Sequence, residues 1–288
     1  MLEGVIIKGI GGFYYVKSEE NIYECRARGR FRKDLLSPLA GDKVLIEVKG
    51  DKGSIEEIRP RKNVLIRPPV ANIDCLLVVV SAAKPAPNTA LIDNFLILGE
   101  KSGIETVILI SKADLAECDS LAEIYRNAGY RVIISSTVSG EGKEEVLDLF
   151  KGKITALAGN SGVGKSSLLN MVCEGLNLKT SHISEKLNRG RHTTRHTELL
   201  ELGEDSFVLD TPGFSSFELP DIEATDLENY YIEFEEYIPY CKFKGCAHVN
   251  EPECGVKKAL EEGIISSERY KNYVAMYEEL KKIKKWDK

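Results

Sequence analysis

Across 288 residues the chain is 43% apolar and 29% charged, with a formal net charge of −6; these proportions exclude a disordered or fibrous chain and give no global reason to expect nucleic acid. The longest apolar run, Cys75 to Val80, is too short to span a bilayer, and Met1 to Lys8 lacks a basic segment ahead of an apolar one. The expected location is therefore the cytoplasm, with no membrane partner.

Residues 1–68 hold 14 Lys and Arg against 10 Asp and Glu, and the remainder 25 against 35, so a mildly basic module precedes an acidic body. In that first module short β-rich runs alternate with glycine turns: Val5 to Ile7, Phe13 to Val16, Ile22 to Cys25, Lys43 to Val48 and Gly53 to Ile58. Five short strands without helical period predict a small barrel, with the OB-fold as leading candidate. Its segment Cys25 to Lys33 places five cations and Phe31 within nine residues, a pattern suited to a nucleic-acid backbone or to a solvated loop. Prolines and charge at Arg59 to Asn63 and at Arg67 to Pro69 then mark a linker.

An α/β alternation follows. Strands are expected over Ile73 to Ser81, Thr106 to Ile110, Tyr130 to Ser135 and Ile154 to Ala158, and helices over Asn88 to Gly103, Asp119 to Ala128 and Glu141 to Phe150. Such an order demands a mostly parallel sheet covered on both faces, with its ligand at the carboxyl ends of the strands.

After the last of these strands comes Gly159-Asn160-Ser161-Gly162-Val163-Gly164-Lys165-Ser166-Ser167, opening a helix. Glycines let backbone N–H groups converge on an anion, and the helix start adds a favourable dipole. In this pattern Lys165 reaches the terminal phosphates and the Ser166 hydroxyl ligates Mg²⁺. A nucleoside triphosphate is the expected ligand.

Upstream, Ser111-Lys112-Ala113-Asp114 ends a strand and resembles the Asn-Lys-x-Asp motif of guanine-nucleotide-binding proteins, with Ser111 in place of the usual Asn. Asp114 would accept from the guanine ring N–H and exocyclic amine, a donor pair that adenine lacks. Ser136-Thr137-Val138 resembles the loop that contacts the guanine carbonyl. Downstream, Arg189 to His196 reads as a first switch, with a threonine (Thr194 or its neighbour Thr193) completing Mg²⁺ coordination. Asp210-Thr211-Pro212-Gly213 reads as the second, with Asp210 holding the metal through water and the Gly213 N–H sensing the γ-phosphate. The base loops precede the phosphate loop and switches, the reverse of the Ras-like order, which is a circular permutation.

Seven cysteines divide into four scattered ones, Cys25, Cys75, Cys118 and Cys173, and a cluster, Cys241, Cys246 and Cys254 around His248. Three thiolates and one imidazole are the ligand set of a closed structural Zn²⁺ site, and the intervening loop has too few apolar residues to fold without metal. Helices are expected at Ala224 to Tyr237, Gly255 to Glu262 and Ser267 to Lys285, the last ending in a lysine cluster suited to a helix end or a phosphate backbone.

Taken with Gly29-Arg30-Phe31-Arg32-Lys33, Gly190-Arg191-His192-Thr193-Thr194 and Asp210-Thr211-Pro212-Gly213-Phe214, the permuted order and the cysteine spacing resemble the RsgA family, also called YjeQ or YloQ, over essentially the full length. The resemblance implies a multidomain protein: an N-terminal OB-fold barrel over 1–66, a circularly permuted α/β P-loop GTPase core over 67–218, and a mostly α zinc-binding domain over 219–288. It also implies a GTPase with GTP/GDP, Mg²⁺ and one structural Zn²⁺, acting in late assembly of the 30S ribosomal subunit on 16S rRNA, as a monomer. Phe214 stands where many GTPases carry a water-orienting glutamine, so intrinsic hydrolysis should be slow, and His192 is the best endogenous candidate to hold the water beside Lys165 and Thr194. The competing readings are a P-loop ATPase or small-substrate kinase, and an RNA-binding module in which nucleotide plays no part.

Overall fold

A computed structural model describes residues 1–28, 37–176, 197–203, 205–210 and 222–283. Five strands, β1 (Leu2–Ile10), β2 (Phe13–Ser18), β3 (Asn21–Ala27), β4 (Lys43–Lys49) and β5 (Lys52–Ile58), close in the order β1-β2-β3-β5-β4, the circuit of an OB-fold. β1 and β4 pair antiparallel, while β3 and β5 pair parallel. Alternate residues Val44 and Ile46 of β4 meet Ile6, Val16, Cys25 and Ile55 inside. The barrel is tight enough that a Cβ at Gly53 would lie 2.8 Å from the Cys25 sulfur. Burial pushes that thiol up to about 11, with the neighbouring Glu24 charge adding to the shift. Arg26 stacks over Phe13 at 4.6 Å and Arg28 pairs with Glu56 at 2.8 Å. Gly29 to Lys33 lie outside the described residues.

The expected linker is a knitted joint. β6 (Val64–Leu65) pairs with β7 (Val70–Ala71), and the Asn63 and Asn72 side chains exchange hydrogen bonds with the backbone on either side. The buried Asp42 carboxylate receives Arg61 on both oxygens, at 2.7 and 2.8 Å.

The central sheet has the order β10-β9-β8-β11-β13-β12, from β8 (Cys75–Ser81), β9 (Glu105–Ser111), β10 (Arg131–Ile134), β11 (Ile154–Ala158), β12 (Leu199–Gly203) and β13 (Ser206–Asp210). All neighbours are parallel except the edge strand β12. Every residue of β8 is buried, as a strand covered on both faces requires. α1 (Thr89–Ser102) and α2 (Asp119–Asn127) cover one face; α3 (Lys143–Phe150) and α4 (Lys165–Gly175) cover the other. The barrel meets this sheet at β12, where Lys8 and Glu198 form a β-bridge and Lys17 pairs with Glu201 at 2.8 Å.

Beyond residue 221, α5 (Gly255–Glu261) and α6 (Ser267–Ile283) form close to the expected places. The helix expected over Ala224 to Tyr237 does not. That stretch holds two 3₁₀ turns, Ala224–Tyr230 and Ile232–Phe234, and a third, Ile238–Tyr240, follows it. Each short turn re-aims the chain so that Leu227, Tyr231 and Phe234 all enter one core, and tertiary packing outweighs the helical propensity of the segment.

α6 docks on α1 through Arg269, which is 1% exposed. Its guanidinium donates to Asp93 at 2.6 Å and bidentately to Glu233 at 2.7 and 2.8 Å, and lies 4.6 Å from the centre of the Tyr231 ring.

Candidate functional site

β11 ends at Ala158 and the chain turns sharply at Gly159, where φ is 131° and a Cβ would lie 2.2 Å from the Val79 carbonyl oxygen. Only glycine fits so close to β8. Gly162 and Gly164 also have positive φ, and Gly164 caps α4. The loop therefore wraps the start of a helix, the geometry that gathers backbone N–H groups around an anion. Lys165 is folded back over this loop, its Nζ donating to Gly159 O at 2.6 Å and Asn160 O at 2.9 Å. Ser161, Ser166 and Ser167 are exposed around the same turn.

The upstream segments reach this loop directly. Ser111, at the end of β9, is buried, with its hydroxyl 2.5 Å from Val163 O and 2.9 Å from Val80 O. Lys112 Nζ donates to Gly162 O at 2.7 Å and to Lys84 O. Two residues on, the exposed Asp114 carboxylate accepts from Ser136 Oγ at 2.6 Å, and that oxygen accepts from the Val138 and Ser139 N–H groups. Thr137 is exposed beside it. One run of contacts thus joins Asp114 and Ser136 to the phosphate loop across about fifty positions of sequence in reversed order. The Ser111 hydroxyl, shorter than the expected Asn amide, still grips the loop because β9 brings it close.

At the other end of the sheet Asp210 pairs in register with Leu157 of β11, which places the end of β13 beside the phosphate loop. His192, Thr193, Thr194, Gly213 and Phe214 lie outside the described residues.

A second cluster lies in the C-terminal core. Ligand atoms of Cys241, Cys246, His248 and Cys254 all fall within 4.8 Å of one another. The Cys241 and Cys254 sulfurs are 3.8 Å apart, and His248 Nδ1 is 3.6 and 3.2 Å from them. Burial pushes the Cys246 thiol up to about 12 and raises that of Cys254.

Residues 58–220 match the family described as RsgA GTPase, and residues 3–55 match the RsgA N-terminal domain. The chain belongs to the RsgA GTPase family. Relatives named small ribosomal subunit biogenesis GTPase RsgA include one from Agathobacter rectalis, 48% identical with 99% of this chain and 100% of the relative covered. Another, from Caldanaerobacter subterraneus, is 47% identical over 99% of this chain and 97% of the relative. Among solved structures, YjeQ from Thermotoga maritima superposes with a TM-score of 0.82 at 39% identity, covering 97% of this chain and 98% of that one. YloQ, described as a circularly permuted GTPase, gives 0.81 at 41%, covering 98% and 96%.

Sequence reasoning missed two parts of this RsgA-family site. The turn after β8 supplies the Lys84 carbonyl to Lys112 and, with Pro85, Pro87 and Phe95, borders a small cleft against Gly159 and Val163; its signal was the Lys84-Pro85-Ala86-Pro87 run. The other is Glu228, whose carboxylate lies 2.5 Å from His248 Nε2, twenty residues away with no spacing pattern to announce it.

Proposed function

We propose that this chain hydrolyses GTP to GDP and phosphate during biogenesis of the small ribosomal subunit, docking on the 30S particle through 16S rRNA in the cytoplasm, as a monomer. The observation that supports the reading is the contact of Ser111 and Lys112 with the Val163 and Gly162 carbonyls, which joins the segment leading to Asp114 to the phosphate loop. The proposed boundaries are 1–66 for the barrel, 67–218 for the GTPase core and 219–288 for the metal-binding module.

In this reading Asp114 accepts from the guanine N–H pair and the Ser136-Thr137 loop frames the carbonyl; adenine would leave the Asp114 carboxylate unmatched. Lys165 exchanges its loop carbonyls for the β- and γ-phosphates, and the backbone from Gly159 to Ser167 wraps them. Ser166, Thr194 and Asp210 are hard oxygen donors that suit Mg²⁺, and the in-register pairing of Asp210 with Leu157 on the strand that leads into the loop supports this set. Bound Mg²⁺ would neutralise charge on the phosphate oxygens. Gly213 reports the γ-phosphate. Phe214 cannot accept a hydrogen bond from water, so His192 positions the nucleophile once the subunit is engaged.

Cys241, Cys246, His248 and Cys254 hold one structural Zn²⁺. Zn–S bonds of about 2.3 Å and Zn–N bonds of about 2.0–2.1 Å set tetrahedral edges of about 3.8 Å between sulfurs and about 3.6 Å from sulfur to nitrogen. The sulfur pair at 3.8 Å and the Nδ1–sulfur separations of 3.6 and 3.2 Å support that fit.

The experiment is GTP turnover with and without purified 30S subunits, with 50S as control. Stimulation by 30S alone, lost in Lys165→Ala, is expected; equal competition of labelled GTP by ATP would overturn the base assignment. His192→Ala should retain GTP binding and lose the 30S-stimulated rate.

A further inference from the structure

We infer that Glu228 is a positioning residue for the metal centre, orienting the His248 imidazole so that Nδ1 is the ligand atom, and thereby joins the first 3₁₀ turn of the C-terminal module to the metal. This rests on the Zn²⁺ reading above. His248 is fully buried, with Nδ1 facing the Cys241 and Cys254 sulfurs and Nε2 facing the Glu228 carboxylate at 2.5 Å. A carboxylate is a hydrogen-bond acceptor only, so Nε2 carries the proton and the Nδ1 lone pair points at the sulfurs.

The surroundings leave the ring little choice. His248 has a left-handed φ of 58°, an unusual backbone for a non-glycine residue. Tyr270 OH donates to its carbonyl at 2.7 Å, and Tyr273 OH donates to the Ala247 carbonyl at 3.0 Å, so α6 fixes the backbone on which the imidazole is mounted. The Phe234 ring meets the imidazole edge-on at 5.9 Å. A half-turn of the ring would put Cδ2 where Nδ1 faces the sulfurs and Cε1 where Nε2 faces Glu228, so the hydrogen bond to that carboxylate favours the orientation that aims Nδ1 at the cluster. The Glu228 turn, Ala224–Tyr230, is the first described element after β13, so the carboxylate ties that part of the chain to a cluster whose four ligands all come from further on.

The test uses the full chain loaded with Zn²⁺, or with Co²⁺ as a spectroscopic substitute. Glu228→Ala should release zinc to a chromogenic chelator about 10–100-fold faster than wild type, and should shift the ligand-field bands of the Co²⁺ form. Glu228→Gln keeps an acceptor for the Nε2 proton but removes the charge, and should fall between; it also serves if the alanine variant does not fold. Wild-type release rates and unchanged Co²⁺ bands in both variants would overturn the positioning role. If wild type itself retains no zinc after dialysis, and His248→Ala behaves identically, the metal assignment fails with it; one zinc retained by wild type together with unchanged release rates in the Glu228 variants sinks the inference alone.

Discussion

The central sheet and the C-terminal module solve the same problem with different means. In the sheet, β8, β9 and β11 are apolar runs buried on both faces, and two clusters of aliphatic side chains cover it, so its cohesion comes from area removed from water. The module is built of short turns and two helices whose core sets a Cys/His cluster, the buried Tyr231 and Tyr273 and one buried arginine among aliphatic side chains. Its cohesion depends on a few specific contacts. The sheet should therefore tolerate the loss of any single group far better than the module does.

The strongest way to break this contrast is to strip the metal. Structural zinc in small metal-dependent folds contributes on the order of 10 kcal/mol, so chelation should expose the amides of Cys241 to Tyr273 to hydrogen exchange while β8 and β9 stay protected. Uniform loss of protection in both regions would show that the module is not separately metal-dependent. Next in size is Arg269→Ala, which leaves the Asp93 and Glu233 carboxylates buried without their cation. A cost of about 3–5 kcal/mol is expected, read as a lowered unfolding midpoint with early exchange in α6.

Two smaller changes sharpen the comparison from the sheet's side. Ser111→Ala removes the hydroxyl beside the Val163 carbonyl and should cost about 1–3 kcal/mol, seen as weaker GDP binding in a titration with the zinc content unaltered. Lys17→Ala removes the 2.8 Å pair with Glu201, and as a part-exposed ion pair it should change stability by less than about 1 kcal/mol, an effect that added salt should erase.

The two regions were also unequally legible. Apolar runs such as Cys75 to Val80 announce buried parallel strands, and the eight residues from Gly159 to Ser166 announce a phosphate loop, because in both cases the physics is local. Five strands with glycine turns likewise gave the barrel. The stretch from Ala224 to Tyr237 misled, since its apolar spacing fits a helix and only the shared core with Tyr273 and the Cys/His cluster divides it into 3₁₀ turns. Asn63 looked like a linker residue and Asn72 carried no signal, because their role as the joint's hydrogen-bonding partners depends on strands from both sides. Glu228 and Asp93 were two carboxylates among many until the fold placed His248 and Arg269 beside them.

The reversed order of the site also has a consequence for synthesis. Ser111 and Lys112 leave the translating ribosome about fifty residues before Val163 and Gly162, the carbonyls they will grip. At about 5–20 residues per second the interval is roughly 3–10 s, during which the end of β9 exists on the nascent chain without the loop it contacts. The loop and α4 are thus made only after all five strands of the barrel, so the contact that joins the two halves of the GTPase core is closed on a chain whose N-terminal domain is already synthesised.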